Sequence, residues 1–170
     1  MKQIFILFFI GLIITDKVSS QGTQSVFLEL GGNGLGFSAN YEARFKKDEK
    51  GLGFRSGVGI FPGARAGDNN FTIFSWPSIL SVPIGLNYLA GKAPNYFEGG
   101  LGATYLYGKG RFTFFFFGTD EKLSTVVFVP SAGYRYAKVG KAFQFRTFIS
   151  PYIFQGGAAF FGGMSFGYKF

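Results

Sequence analysis

The sequence predicts an all-β fold: an antiparallel up-and-down transmembrane β-barrel of eight strands with a polar, plugged interior. Three observations predict it. The 170 residues hold 27 glycines and 25 phenylalanines and are 21% aromatic, whereas average glycine usage is about 7%; this mixture suits strands that curve and pack. Apolar runs recur along the chain between clusters of Gly, Asn, Asp, Lys and Pro. Within the runs, residues alternate with period two, large apolar groups against small polar ones and isolated charges.

The opening segment stands apart from this pattern. Met1 and Lys2 begin it, Ile4 to Ile14 is apolar apart from Gly11, and Val18-Ser19-Ser20-Gln21 closes it. A basic start, a short apolar stretch and small residues at a cut form the layout of a secretory signal peptide. The apolar stretch is too short to span a bilayer as a stable helix. The expected organisation is a cleaved signal over residues 1–20 and one barrel domain over residues 21–170. Cleavage removes Lys2, Lys17 and Asp16, and the net charge of +8 becomes +7. The basic residues are scattered singly, so an anionic membrane surface is the expected neighbour and nucleic acid is not an expected partner.

Eight runs follow. Ser25 to Gly31 is the first, and Gly31-Gly32-Asn33-Gly34 is a turn signal, because Gly and Asn tolerate positive φ; read as a bulge, it would merge the first two runs and leave seven. Leu35 to Lys46 is the second, ended by the polar stretch 47–50. Gly51 to Phe61 is the third, followed by a polar loop from Pro62. Ser75 to Ala90 is the fourth, weakened by Pro77 and Pro83, and Gly91 to Pro94 turns the chain. Asn95 to Tyr107 is the fifth. Residues 108–122 read as a loop, although Phe112 to Phe117 has strand character. Leu123 to Ala137 is the sixth, Lys138 to Lys141 a turn, Ala142 to Phe154 the seventh, residues 155–160 a small-residue loop, and Phe161 to Phe170 the eighth. With both ends on one side, the turns at 47–50, 91–94 and 138–141 share that side. The longer loops near 62–74, 108–122 and 155–160 share the other, the asymmetry of bacterial outer-membrane barrels.

Parity divides the runs into two faces. Phe37, Ala39, Tyr41, Ala43 and Phe45 oppose Ser38, Asn40, Glu42, Arg44 and Lys46; Leu52, Phe54, Val58 and Ile60 oppose Gly53, Arg55, Gly57 and Gly59. A soluble sandwich shares the period, but its wet face carries long charged side chains. Here the polar face is mostly Gly, Ser, Thr and Asn, which fits the narrow inside of a small barrel. That inside is expected to hold Glu29, Glu42 and Glu98 with Arg44, Arg55, Arg135 and Arg146 as a structural ion-pair network, since buried charges must pair. Tyr41, Tyr88, Tyr96, Tyr107, Tyr134, Tyr136, Tyr152 and Tyr168 lie mostly near run ends and read as an interfacial girdle.

The last residues, Gly163-Met164-Ser165-Phe166-Gly167-Tyr168-Lys169-Phe170, alternate and end on Phe. They resemble the terminal-strand signal by which the barrel-assembly machinery recognises its substrates, with Met164, Phe166, Tyr168 and Phe170 as the apolar positions. The stretches 25–34, 40–42, 82–89, 100–105 and 133–136 resemble small outer-membrane β-barrel proteins of the Bacteroidota. The resemblance implies a fold, a place in the outer membrane among its lipids, and no activity.

Chemistry is constrained by what the chain lacks. It has no Cys and no His, so Ser–His and Cys–His pairs are impossible and the commonest metal ligand is missing. No cofactor or metal is expected. The leading expectation is a non-enzymatic envelope or surface-contact barrel, with an unidentified extracellular or envelope ligand at its loops. An apolar patch of Phe71, Ile73, Phe74 and Trp76 with Phe112 to Phe117 is one candidate contact, strand ends in lipid the competing reading. Three alternatives stay open: a narrow channel or small apolar-solute transporter, a lipid-modifying enzyme using Asp68, Asp120 or Glu121, and a soluble secreted ligand-binding barrel.

Overall fold

The computed structural model describes residues 23–46, 49–67, 70–108, 112–114, 117–119, 123–154 and 157–170, with backbone alone at 62–67, 70–78, 112–114, 117–119, 123 and 154. The expected signal peptide, Asp68, Asp120, Glu121 and the middle of the 112–117 run lie outside the described residues. So do the side chains of the expected aromatic patch.

Alternating residues build the strands β1 (Gln24–Gly31), β2 (Phe37–Arg44), β3 (Gly51–Gly67), β4 (Asn70–Lys92) and β5 (Asn95–Gly108). They are followed by the short pair β6 (Phe112–Phe114) and β7 (Phe117–Thr119), then β8 (Leu123–Phe128), β9 (Ser131–Ala137), β10 (Phe143–Phe154) and β11 (Gly157–Lys169). Nine of them form one antiparallel sheet whose hydrogen bonds run in a ring. Each strand pairs with the next, and the terminal strands meet, with Ser25 opposite Lys169 and Leu30 opposite Met164. A strand edge is a row of unpaired backbone groups, and ring-wise pairing satisfies them.

The expected sixth strand is written as β8 and β9, broken at Val129-Pro130. The break is local. Ala103 opposes Phe128 and Gly100 opposes Ser131, one continuous register on β5, and Gly102 and Val129 exchange both backbone hydrogen bonds between them. Proline simply lacks the N–H that the ladder would use.

Several boundaries differ from the sequence reading. The expected loop at 62–74 is mostly strand: β3 and β4 run on as a hairpin, with Gly63 opposite Ser75 and Gly67 opposite Asn70, across two register irregularities. Irregular register breaks the period-two signal, which is why the hairpin read as loop. The neighbours stop earlier, at Phe37–Ile60 and Leu80–Tyr107, so residues 61–67 and 70–79 extend beyond them as a two-stranded ribbon. The expected loop at 108–122 contains the β6–β7 pair. The expected loop at 155–160 is shortened because β11 starts at Gly157 and pairs with Phe154. Lys46, assigned to the inner face, lies past the end of β2 and is exposed.

Burial follows parity, inverted with respect to a water-soluble domain. Leu28, Phe97, Leu101, Val126 and Ile149 are 61–64% exposed, whereas Glu42, Arg146 and Gln144 are 1–2% exposed. The inside is filled partly by close approach of glycine to ring: Phe148 lies over Gly163 and Gly32, where a Cβ would meet its ring at 2.7 and 2.1 Å.

Candidate functional site in the barrel interior

The polar parity of β1, β2, β3, β5, β9 and β10 brings the sequence-predicted charges together. Glu42 is the hub. Arg135 grips it with two hydrogen bonds, Nη1 to Oε1 at 2.7 Å and Nη2 to Oε2 at 2.8 Å. Arg44, two residues away on the same face, donates to Oε1 through Nε at 3.1 Å and also through Nη2. Arg146 Nη2 lies 2.8 Å from Oε2, off hydrogen-bond angles, and its guanidinium stacks on the Phe27 ring at 3.9 Å. Arg135 Nε reaches Glu98 Oε2 at 2.8 Å, and Asn87 links Glu42 and Glu98 through Nδ2 at 2.9 and 2.6 Å. Arg55 and Glu29 form a separate pair at 3.0 Å on the same interior surface. All seven predicted charged residues are buried.

The balance is uneven: three carboxylates face four guanidinium groups. The π-face of Phe27 takes up part of the excess, since Arg55 also lies 5.7 Å from its centre. A cation over an aromatic face is worth about 2 kcal/mol or more when desolvated. Phe27 and Asn87 went unnoticed as network members in the sequence. The signal for Phe27 was present in its parity, shared with Ser25 and Glu29.

Two further groups close the ends of this interior. At the end holding the start of β1 and the end of β11, Lys169 Nζ pairs with Glu49, and Tyr96 OH donates to Glu49 Oε2 at 3.0 Å. A small cavity between this latch and the network, bordered by Gln144, Arg44 and Lys169, has room for about one water. At the far end the β1–β2 turn, residues 32–36, folds inward. Leu35 adopts φ 73°, ψ −63°, and the Gly36 N–H donates to Gly34 O at 3.1 Å. This γ-turn is of the strained hand, costing on the order of 1–3 kcal/mol for a non-glycine residue. Leu35 packs with Ile79, Leu106, Val127, Val129 and Tyr152.

Tyr96 and Tyr152 correct the girdle reading: both are 3% exposed, because they share parity with Glu98 and Ser150 and turn their hydroxyls inward. Tyr41, Tyr88, Tyr107, Tyr134 and Tyr168 are exposed, and Tyr136 is half-buried. Met164, Phe166 and Tyr168 lie on the outer face, Phe170 just past β11 and half-buried. Among the described residues no group of three or more His, Cys, Asp or Glu is placed to hold a metal ion.

No protein-family model and no curated protein matches the chain. Solved structures do. The N-terminal β-barrel domain of Pseudomonas aeruginosa OprF aligns with a TM-score of 0.60 at 9% identity, over 86% of this chain and 95% of that one. The Yersinia pestis outer membrane protein Ail, solved in a phospholipid bilayer nanodisc, aligns with a TM-score of 0.53 at 15% identity, over 88% and 99%. The chain shares the barrel-like fold of these bacterial outer-membrane proteins. At such identities the likeness speaks for fold alone, so the function has to be argued from the interior and the outer surface.

Proposed function

We propose that the chain is a non-enzymatic outer-membrane protein of a Gram-negative cell. In this reading it is exported through a cleaved signal over residues 1–20 and inserted as an eight-stranded transmembrane barrel, β8 and β9 counting as one strand. The observation that carries it is the inverted burial: a continuous apolar exterior of Val26, Leu28, Leu30, Ile84, Leu86 and Leu101 around a charged interior. Lipid is the solvent that matches such a surface, and an exposed apolar area on this scale is foreign to soluble monomers. The likeness to two outer-membrane barrels supports the same reading.

The start of β1, the end of β11 and the 93–94 and 138–142 connections then face the periplasm, and the β3–β4 ribbon stands on the outer side. The tightly paired interior favours an envelope-structural or surface-contact role over conduction, because eight strands enclose a space that side chains fill. Surrounding lipid and, during insertion, the barrel-assembly machinery are the partners of this reading. Met164, Phe166, Tyr168 and Phe170 provide the insertion signal, in keeping with the resemblance to Bacteroidota barrels.

Membrane fractionation followed by electrophoresis with and without boiling tests it. Recovery in the outer membrane with a heat-dependent mobility shift is expected. A soluble protein without the shift overturns the lipid-facing assignment.

A further inference from the structure

The inward β1–β2 turn has a socket built for it. Ser81 Oγ donates to Gly34 O at 2.6 Å, Thr104 Oγ1 to Asn33 O at 2.8 Å, and Tyr152 OH reaches Gly32 O at 2.7 Å and Asn33 O at 2.9 Å. Ser150 Oγ donates to Asn33 Oδ1 at 2.9 Å, and Glu29 Oε1 accepts from the Gly34 N–H at 3.1 Å. Donors from β4, β5 and β10 thus converge on three successive carbonyls of one short turn. Beside them an apolar wall of Ile79, Leu106, Val127 and Val129 receives the Leu35 side chain.

The turn is gripped by side chains and barely by the ladder. Regular β1–β2 pairing ends at Leu30–Phe37, and the Gly31 N–H to Gly36 O bond is the last rung before the turn. Glycines at 31, 32, 34 and 36 surround the single strained residue, Leu35. Gly31 and Gly32 already hold positive φ, at 73° and 62°. Glycine torsions cross between conformations at little steric cost, so the segment has hinges on both sides. Strain that persists in a fold is held by its surroundings and is released when they let go.

We propose that residues 32–36 form a displaceable plug of the outer mouth. Swinging out on Gly31 and Gly36 relieves Leu35 and uncovers the apolar wall and the hydroxyls of Ser81, Thr104 and Tyr152 to the cell exterior. The plug rests on the membrane-barrel reading above, and its test separates the two.

The chain has no cysteine, so Val127→Cys places one thiol beneath the plug. The folded protein in liposomes is exposed to a water-soluble maleimide, and labelling is read on the heat-shifting band. Slow labelling is expected with the native turn. Tyr152→Phe and Thr104→Val, each removing a hydroxyl donor worth about one ordinary hydrogen bond, are each expected to accelerate it about fivefold. Equal rates in all three proteins overturn the plug, whether fast or slow. Where both variants lose the heat shift, the native turn decides. Labelling to completion in the folded barrel then supports the plug, and none up to the temperature at which the shift is lost overturns it. Absence of any heat shift in the unsubstituted protein is failure of the barrel reading instead.

Discussion

At the residue scale the interior is organised around Glu42, which answers three arginines. Removing one partner from a buried ion cluster leaves uncompensated charge, typically at a cost of about 3–5 kcal/mol. Glu42→Ala is therefore expected to lower the urea midpoint of the heat-shifting form by a stability loss of about that size, measured by refolding in detergent micelles. Equal midpoints would show that the cluster adds nothing. Gly163→Ala tests the filling of the far end. Its Cβ would meet the Gly32 nitrogen at 2.8 Å and the Phe148 ring at 2.7 Å, so overpacking of about 1–3 kcal/mol is expected, partly restored by Phe148→Leu in the same assay. The seven charges were legible in the sequence because each shares strand parity with small polar neighbours. Asn87 shares that parity, but an amide carries no charge to be balanced, so no pairing rule in the sequence marks it. Asn33 reads as part of a turn because Gly-Asn-Gly is turn chemistry wherever it points, and Leu35, expected to open the second strand, instead belongs to that turn; inward folding depends on hydroxyls of β4, β5 and β10, distant in sequence. Tyr96 and Tyr152 depart from the girdle expectation for a related reason: nearness to a run end suggests a girdle, whereas their strand parity turns both side chains inward.

At the element scale the strand succession was legible, since period-two alternation and Gly or Lys turns mark β1, β2, β5 and β10 within a residue or two. The far-end boundaries of β3, β4 and β11 were not. In β3 and β4, of 17 and 23 residues, the pairing passes through irregularities and prolines, where no alternation survives to be read. A membrane crossing needs roughly 9–11 residues, so in the proposed reading the ribbon beyond Ile60 and Leu80 is surplus to spanning. Deleting residues 65–72 and rejoining the strands with a short Asn-Gly turn is expected to leave the heat shift and outer-membrane recovery unchanged. Loss of the folded band would show that the ribbon belongs to the barrel's folding unit. At β11, deletion of Phe170 is expected to reduce recovery in the outer membrane of growing cells while refolding in detergent stays as before. Equal recovery would remove Phe170 from the proposed insertion signal.

At the scale of the whole molecule, one inverted pattern carries the fold and supports the proposed place and role. In the membrane reading proposed above, the ring of paired strands leaves few backbone groups for lipid to meet, the apolar parity supplies the surface that lipid would wet, and the charged parity fills the interior from Lys169–Glu49 at one end to the Leu35 turn at the other. Such a molecule is expected to show no steady conductance in planar bilayers; a stable open level would favour the channel alternative. The central claim, that alternate residues face lipid and lumen, is tested most directly by spin labels placed one at a time on residues 25–30 of the protein in liposomes. Labels at Val26, Leu28 and Leu30 are expected to be relaxed by membrane-dissolved oxygen and shielded from a water-soluble relaxant, and labels at Ser25, Phe27 and Glu29 to be reached poorly by both. Uniform access of the water-soluble relaxant along the strand, or no alternation at all, would contradict the account.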